Sequence, residues 1–367
     1  MTATDNLALR VSKKKFLDDI NILTKYFALS SIDSDILEMS FEEDSLTFHT
    51  SNNYSYIRHI LKIDNTYIGK IIVHFSDLIN AISSYDSIDI DLFTNKNYLC
   101  ISDGKKTINV EVLDKSVNVY IPQYKLDTEI SIEGKFELDK LDNNILNSDF
   151  TDMLIIEDRI YTSNLSGTIV CMLKKKFKTS FPIAINTKLV DIISTFDKVD
   201  KIYGYRNTVI FTNDSTLLII PIISTSKRST FEAQYSKINE LLSKCSSSPS
   251  IEFNALELKK EISSILTALK KHKINSVDIE ITNKYIRIFY KNIMETKILC
   301  DFGDKVVSLY FGCSISNLLK ILSSTKSIKQ KIKIFNKQPF FLIQDDNFDI
   351  IFGLENNSNN SKRIEIK

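Results

Sequence analysis

Three short stretches of the chain share one pattern of apolar and polar positions. Residues 74–85, 185–196 and 312–324 read HFSDLINAISSY, INTKLVDIISTF and GCSISNLLKILSS. Apolar residues fall at Leu78, Ile79, Ile82 and Tyr85, at Leu189, Val190, Ile193 and Phe196, and at Leu318, Leu319 and Leu322. This i, i+1, i+4 spacing is the stripe of an amphipathic helix with one buried side. Ser76, Asn186 and Ser314 stand where a helix would start, and their side-chain oxygens can each accept a free amide of the first turn. A β-type run precedes each helix: KIIVHF (70–75), FPIAI (181–185) and VVSLYF (306–311). Three alternating runs come after each one. They are 87–93, 98–102 and 107–113 in the first copy, 201–205, 208–212 and 216–222 in the second, and 331–335, 340–344 and 348–354 in the third. Short links carrying Asn, Asp, Gly or Lys join them as hairpin turns should.

Between these copies lies a second kind of segment, again three times. Residues 9–27 predict a strand running into a helix with Phe16, Ile20, Leu23 and Phe27 on one side. Residues 134–150 repeat this weakly. Residues 250–272 repeat it strongly, with Leu258, Ile262, Ile265 and Leu269 in line. Alternating strands come next in each case. The chain therefore reads as α+β, with three tandem domains of two helix-plus-strands halves each: 1–124, 125–228 and 229–367. The helices recur 111 and 129 residues apart, a period of whole domains and not of a solenoid. The stretch 225–249 ends in Ser and Pro and is expected to be an extended connector. The polar end NNSNNSKRIEIK is expected to fray.

Composition narrows the reading only slightly. The 367 residues carry 43 % apolar and 25 % charged side chains, an ordinary globular balance. The formal net charge is +1, so any nucleic-acid footprint must come from charge placement. No apolar run approaches the ~20 residues that span a bilayer. The first residues lack the apolar core of a secretory signal. The expectation is a soluble cytoplasmic protein without a membrane role. The cysteines, Cys100, Cys171, Cys245, Cys300 and Cys313, are odd in number and form no CxxC pair, so they read as reduced, mostly buried thiols. The histidines, His49, His59, His74 and His272, sit in no metal or nucleophile motif, and neither phosphate-binding glycine motif occurs. The turns 103–106 and 213–215 and the acidic loops at 42–44 and 344–346 read as hairpin connections. Nothing supplies a nucleophile with its base, and no cofactor or metal is expected.

The threefold order, with GKIIVHFSDLINAISSY at 69–85, TINVEVL and then YIPQY within 107–124, and FDIIFGL at 348–354, resembles the three-domain DNA polymerase sliding clamps of bacterial or phage type. The resemblance covers about residues 8–354. It implies half of a ring: two chains pair head to tail, domain 1 against domain 3, helices line a central hole and sheets form the outside. It implies a processivity factor that makes and breaks no bond. Its partners would be sequence-independent double-stranded DNA, a DNA polymerase, an ATP-dependent clamp loader and a second copy of itself.

Charge placement agrees in sign with that implication. The six helices sum to +3 and the rest of the chain to −2. The DNA-facing candidates are Lys13, Lys14, Lys15, Lys25, Lys188, Lys259, Lys260, Lys270, Lys271, Lys273 and Lys320; each also reads as a residue that merely solvates a helix. Weak contacts suit a sliding device, because a duplex carries about one charge per 1.7 Å of axis. The resemblance further implies a groove for partner peptides between domains 2 and 3. The matching positions are Phe150, Ser163, Leu165, Gly167, Thr168, Ile169, Asn186, Val190, Ile350, Phe352 and Leu354. Val190 and Ile350 read equally well as core. The turn SNLSGTI lacks the family's His and Arg, and Asn186 stands where a Pro is common, so the peptide preference should differ. Two other readings stay open: a clamp-fold interaction scaffold with no DNA role, and an α+β enzyme whose repeats are coincidental.

Overall fold

A computed structural model describes residues 8–29, 35–52, 55–63, 68–114, 116–138, 150–164, 169–196, 198–223, 225–244, 250–271, 274, 276–282, 284–290, 294–299, 307–314, 318–319, 322, 329–334, 340–344, 348–353 and 364–366. The chain divides into two compact units. One is Met1–Glu137 with Asp191–Ile222, and the other is Leu138–Val190 with Ile223–Lys367.

The first unit holds two antiparallel sheets. In one, Ala8–Ser12, Asp89–Asn95, Tyr98–Ser102 and Thr107–Glu111 lie side by side in that order. In the other, the order is Gly69–His74, Ile36–Glu42, Ser45–Ser51, Tyr56–Lys62, Thr216–Pro221, Thr208–Thr212, Lys201–Tyr205 and Thr128–Ile130. Alternation decides which way each strand faces. Leu37, Met39 and Phe41, then Leu46 and Phe48, then Ile57 and Leu61 are buried, as are Val209, Phe211, Leu218 and Ile220 across the sheet. Helices α1 (Lys13–Asp19), α2 (Asn21–Leu29) and α3 (Phe75–Ser83) bury Phe16, Leu23, Tyr26, Phe75, Leu78 and Ile82.

The second unit begins with a long hairpin, Phe150–Asn164 against Ile169–Asn186. Its register slips on both sides of Glu157, which sits at φ 51°. Asp152–Ile155 pair with Ile183–Asn186, whereas Arg159–Ser163 pair with Val170–Lys174. The strand thus doubles back, and Thr162 Oγ1 donates to Asp152 O at 2.7 Å. Each long strand is two arms. Beyond the arm 169–174 lie, in order, Phe348–Gly353, Phe340–Gln344, Lys329–Ile334 and Ser250–Asn254. A five-stranded sheet runs Met294–Leu299, Tyr285–Tyr290, Ser276–Ile281, Val307–Ser314, Ile364–Ile366. Helices α4 (Val190–Ile193), α5 (Thr225–Lys244) and α6 (Ala255–Lys271) complete the described helices longer than one turn.

The repeat expected from the pattern is present in strand order. The order 69–74, 36–42, 45–51, 56–62 recurs as 179–186, 150–155, 159–164, 169–174 and as 307–314, 276–281, 285–290, 294–299. An opening strand beside a three-strand meander also recurs: 8–12 with 89–111, 128–130 with 201–221, and 250–254 with 329–353. Sheets of the two kinds are joined edge to edge twice. Tyr56–Lys62 meets Thr216–Pro221, and the arm 169–174 meets Phe348–Gly353.

Several expectations need correction. The first helix is two, broken at Ile20, so Tyr26 and Ile22 are buried where Phe27 was expected. Ser76 is not a cap: α3 starts at Phe75, and Asp35, just ahead of the strand Ile36–Glu42, accepts the Ser76 amide at 3.1 Å. Asn186 does cap, accepting the Lys188 amide at 2.9 Å, but the helix it starts is only one 3-10 turn and the short α4. The expected extended connector is helical over Thr225–Lys244. At the polar end, Ile364–Ile366 pairs with Val307–Leu309 instead of fraying. The expected helix near 138–147 and the cap Ser314 fall wholly or partly outside the described residues; Leu318 and Leu322 are helical and buried.

Candidate nucleic-acid interface and partner groove

The lysines do not form one class. Lys14 and Lys15 are exposed on α1 and available to a polyanion. Lys13 is half-buried, and its ammonium donates to Ser83 O at 3.4 Å and to Tyr85 O. It therefore serves the open carbonyls at the end of α3, where a cation is favoured. Lys25 lies 3.9 Å from the Asp191 carboxylate. Lys188 is exposed on the 3-10 turn after Asn186. On α6, Lys260, Lys270 and Lys271 are exposed and Lys259 is half-buried; Asn254 caps this helix through the amides of Leu256 and Glu257. Lys273 and Lys320 lie outside the described residues.

The groove candidates converge on one end of the second unit's sheet. Asn186 pairs with Asp152, Asp152 O accepts from Thr162, Thr162 pairs with Cys171, and Cys171 pairs with Ile350. That row crosses five adjacent arms. One step nearer the end, Ser163 pairs with Val170 and Val170 with Ile351; Ile169 pairs with Phe352. Phe150 opens the hairpin at this same end. Ser163 and Asn186 are half-buried, whereas Val190 and Ile350 are 0 % exposed and act as core. Leu165, Gly167, Thr168 and Leu354 lie outside the described residues.

Sequence reasoning missed the cover on this sheet. Phe231, Tyr235, Ile238 and Leu242 on α5 pack with Leu154, Tyr161, Val170, Met172, Ala184, Leu342 and Ile351. Their spacing of four, three and four residues is itself a helical stripe, so the signal was in the sequence. Tyr161 meets the rings of Phe231 and Tyr235 edge-on, both at 5.9 Å, and its hydroxyl donates to Gln234 Oε1 at 3.2 Å. Arg159 donates to Asn239 Oδ1 at 3.2 Å, and Lys227 reaches Asp152 at 3.5 Å. A cleft of about 590 Å³ opens beside the second half of α5, between Arg159, Tyr235, Asn239, Leu342 and Asp349. Asp349 is buried but held by Gln344 Nε2 at 2.9 Å and Lys174 at 3.6 Å.

Titratable groups elsewhere serve structure. His59 Nδ1 and Thr216 Oγ1 lie 2.9 Å apart across the first join, and His49 Nδ1 and the Tyr56 hydroxyl 2.7 Å apart on its outer side. Burial holds both imidazoles below the usual histidine range, with Glu38 opposing that shift at His49. The described residues contain no group of three or more His, Cys, Asp or Glu that could hold a metal, and no helix among them is long and apolar enough to cross a membrane. Cys100 and Cys171 are buried thiols.

No family model and no curated protein matches the sequence. Solved structures do match in fold. A putative DNA polymerase III β subunit from Eubacterium rectale superposes with a TM-score of 0.73 at 14 % identity, covering 96 % of this chain and 100 % of its own. The DNA polymerase sliding clamp of Bacillus subtilis gives the same four values. The Helicobacter pylori β clamp bound to a DNA ligase peptide gives 0.73 at 12 %, covering 95 % and 99 %. Over nearly its whole length, this chain has the α+β fold of the DNA polymerase III β-subunit sliding clamps.

Proposed function

We propose that the chain is a non-enzymatic processivity clamp: copies close into a ring around duplex DNA and tether a polymerase. One observation carries this reading. Of three equivalent joins implied by the repeat, two are made within the chain, by 56–62 with 216–221 and by 169–174 with 348–353. The edges that would make the third, Met294–Leu299 and Thr107–Glu111, each end a sheet among the described residues. They belong to the first and the third of the proposed domains, so a second copy can supply each missing edge head to tail. Unpaired edges are a hazard that such closure removes. The division into domains 1–124, 125–228 and 229–367 belongs to the same proposal, because each join links one domain's first half to the next domain's second half.

In this reading Lys14, Lys15, Lys188, Lys260, Lys270 and Lys271 touch phosphate weakly. Lys13 and Lys25 are spent on intramolecular partners. A peptide from a polymerase or an ATP-dependent loader docks near Ser163 and Asn186, at the sheet end described above; the bound peptide of the Helicobacter pylori structure supports this. The protein works in the cytoplasm and needs no cofactor. The loss of Lys13 and Lys25 from the free basic set favours one second reading, a clamp-fold scaffold without a DNA role.

A disulfide test separates them. Asn109→Cys with Lys297→Cys places one thiol on each of these two edge strands. Oxidation should give covalently closed rings that stay on nicked circular plasmid through denaturant and leave when the circle is cut. Cross-linked species that wash off circles and linear DNA alike leave only the scaffold. Failure to cross-link in any pairing of the two edges rejects the ring.

A further inference from the structure

We propose that α5 is a clasp that bolts the second in-chain join shut, so that this seam cannot part while the helix is seated. The inference rests on the fold and holds whether or not the protein encircles DNA. At the seam, Val170 pairs with Ile351 and Met172 with Asp349. Val170, Met172 and Ile351 turn to the face on which α5 lies, and the helix grips both sides of the line at once. Its aromatic half holds the hairpin through Tyr161 and Leu154, and the same cluster takes in Leu342 from the far side of the seam. Three polar latches, Lys227–Asp152, Tyr161–Gln234 and Arg159–Asn239, fix the helix along the hairpin. Only a few backbone hydrogen bonds hold so short a strand pair, each worth about 0.5–1.5 kcal/mol net, so side-chain cover weighs heavily in how easily the pair opens.

The first seam has a cover of the same kind in the same place. Tyr56 pairs with Ile219 and Arg58 with Leu217. On that face Tyr56, Leu217 and Ile219 join Tyr203 and Ile210, and Tyr124 and Tyr205 pack against them. Tyr124 comes from the segment just after the first meander, as α5 comes from the segment just after the second. Each connector therefore returns over the seam that its own domain makes. In the second the connector has become a helix with a continuous apolar stripe.

Hydrogen exchange on the full chain tests the clasp. Ile238→Ser with Leu242→Ser strips the end of the stripe while leaving the ring contacts of Tyr161. Exchange of amides in 170–173 and 349–352 should rise tenfold or more, with 57–59 and 217–219 unchanged. Lys237→Ala, on the exposed side of α5, should change neither. Tyr124→Ser should act on the first seam alone. Protection at the second seam that survives the double change overturns the proposal, and so does a uniform rise at both seams. If the double variant fails to fold, Arg159→Cys with Asn239→Cys gives the reverse experiment. Oxidation should slow exchange at the second seam relative to the same protein reduced, and equal rates overturn the clasp.

Discussion

The two in-chain seams share a backbone plan and differ in the side chains that fill it. At the first, the side toward the core carries His59 opposite Thr216, a polar pair inside an apolar layer. At the second, the equivalent side carries Cys171 opposite Ile350, both buried and apolar in character. The outer sides differ too. Aromatic residues meet Arg58 and a single loop tyrosine at the first seam, whereas a 20-residue helix lies over aliphatic residues at the second. Strand register alone therefore does not fix how strong a join is. A polar pair in a core must keep its partner, because an unsatisfied buried group costs about 1–3 kcal/mol. An apolar pair under a helix depends instead on area kept from water, about 25 cal/mol per Å².

The largest expected effect strikes the cover of the second seam at its centre. Tyr161 is wholly buried and touches two rings of α5. Tyr161→Ala should lower stability by about 3–5 kcal/mol, read as a shift of the urea midpoint. Tyr161→Phe keeps the rings and loses only the bond to Gln234, so it should cost roughly 0.5–1.5 kcal/mol. Equal costs for the two changes would show that packing against α5 contributes little.

Next comes a pH dependence that belongs to the first seam. Burial depresses the affinity of His59 and His49 for protons in the folded protein, while the unfolded chain titrates near 6.5. The unfolded state then binds more protons below that value, so stability is full above about pH 6.5 and falls as pH drops from there toward the lowered folded values. The groups that face His49 are Glu38, Arg58, Lys70 and Glu42, and those at His59 are Thr216 and the backbone of Asp19. Urea midpoints between pH 7.5 and 5.5 should decline in the parent and much less after His49→Gln with His59→Gln. Protection at 57–59, taken relative to the intrinsic exchange rate at each pH, should fall with acid while that at 170–173 holds. An undiminished decline in the double variant would place its source elsewhere.

How much of the fold is legible in the sequence depends on which signals are local. Strands Tyr98–Ser102, Lys201–Tyr205, Thr208–Thr212 and Phe340–Gln344 match the expected runs residue for residue, because each is a short run rich in β-branched, aromatic and aliphatic residues bounded by polar turn residues. Helix ends are less legible. Ser76 has the right chemistry for a cap, but a carboxylate from Asp35, far off in sequence, takes the amide. The helix α5 is hidden because its Ser-rich end and low overall apolar content mask a stripe at Phe231, Tyr235, Ile238 and Leu242. At the candidate site, the sequence points to Asn186 and Ser163, and the doubled hairpin brings both to one sheet end. It leaves Ile350 and Val190 open between groove and core; both are buried, Ile350 on a strand paired on both sides and Val190 at the start of α4.

A smaller effect measures the two covers against each other. Leu242→Ala removes part of a helical stripe that is already half-buried and should cost about 1–2 kcal/mol, below the range for a full core truncation. Tyr124→Ala removes one ring at the rim of the first seam and should cost about 1 kcal/mol. Differential scanning calorimetry on both variants gives the comparison. A Tyr124 effect larger than that of Leu242 would mean that the loop, not the helix, is the stronger brace.

The smallest effect concerns the edge strand Met294–Leu299. Beside Met294–Leu299 the outer face is charged, not apolar: Arg287 donates to Glu295 at 2.7 Å and to Glu280 at 3.3 Å, and Lys297 lies 3.1 Å from Glu295. These cations hold the exposed Glu295 carboxyl below the usual range. Leu299, at the strand's end, is 82 % exposed. Where the in-chain seams are covered by apolar groups, this edge offers ions that stay solvated, which would suit the separable join of the proposed ring. Exposed pairs contribute at most about 1 kcal/mol and are screened by salt. Arg287→Ala should therefore change self-association in sedimentation equilibrium by less than about fivefold, and raising NaCl from about 0.1 to about 0.5 M should reduce the effect of the substitution. A loss of about a hundredfold or more would mean that Arg287 is buried in the assembled joint, and that the third seam is sealed as firmly as the other two.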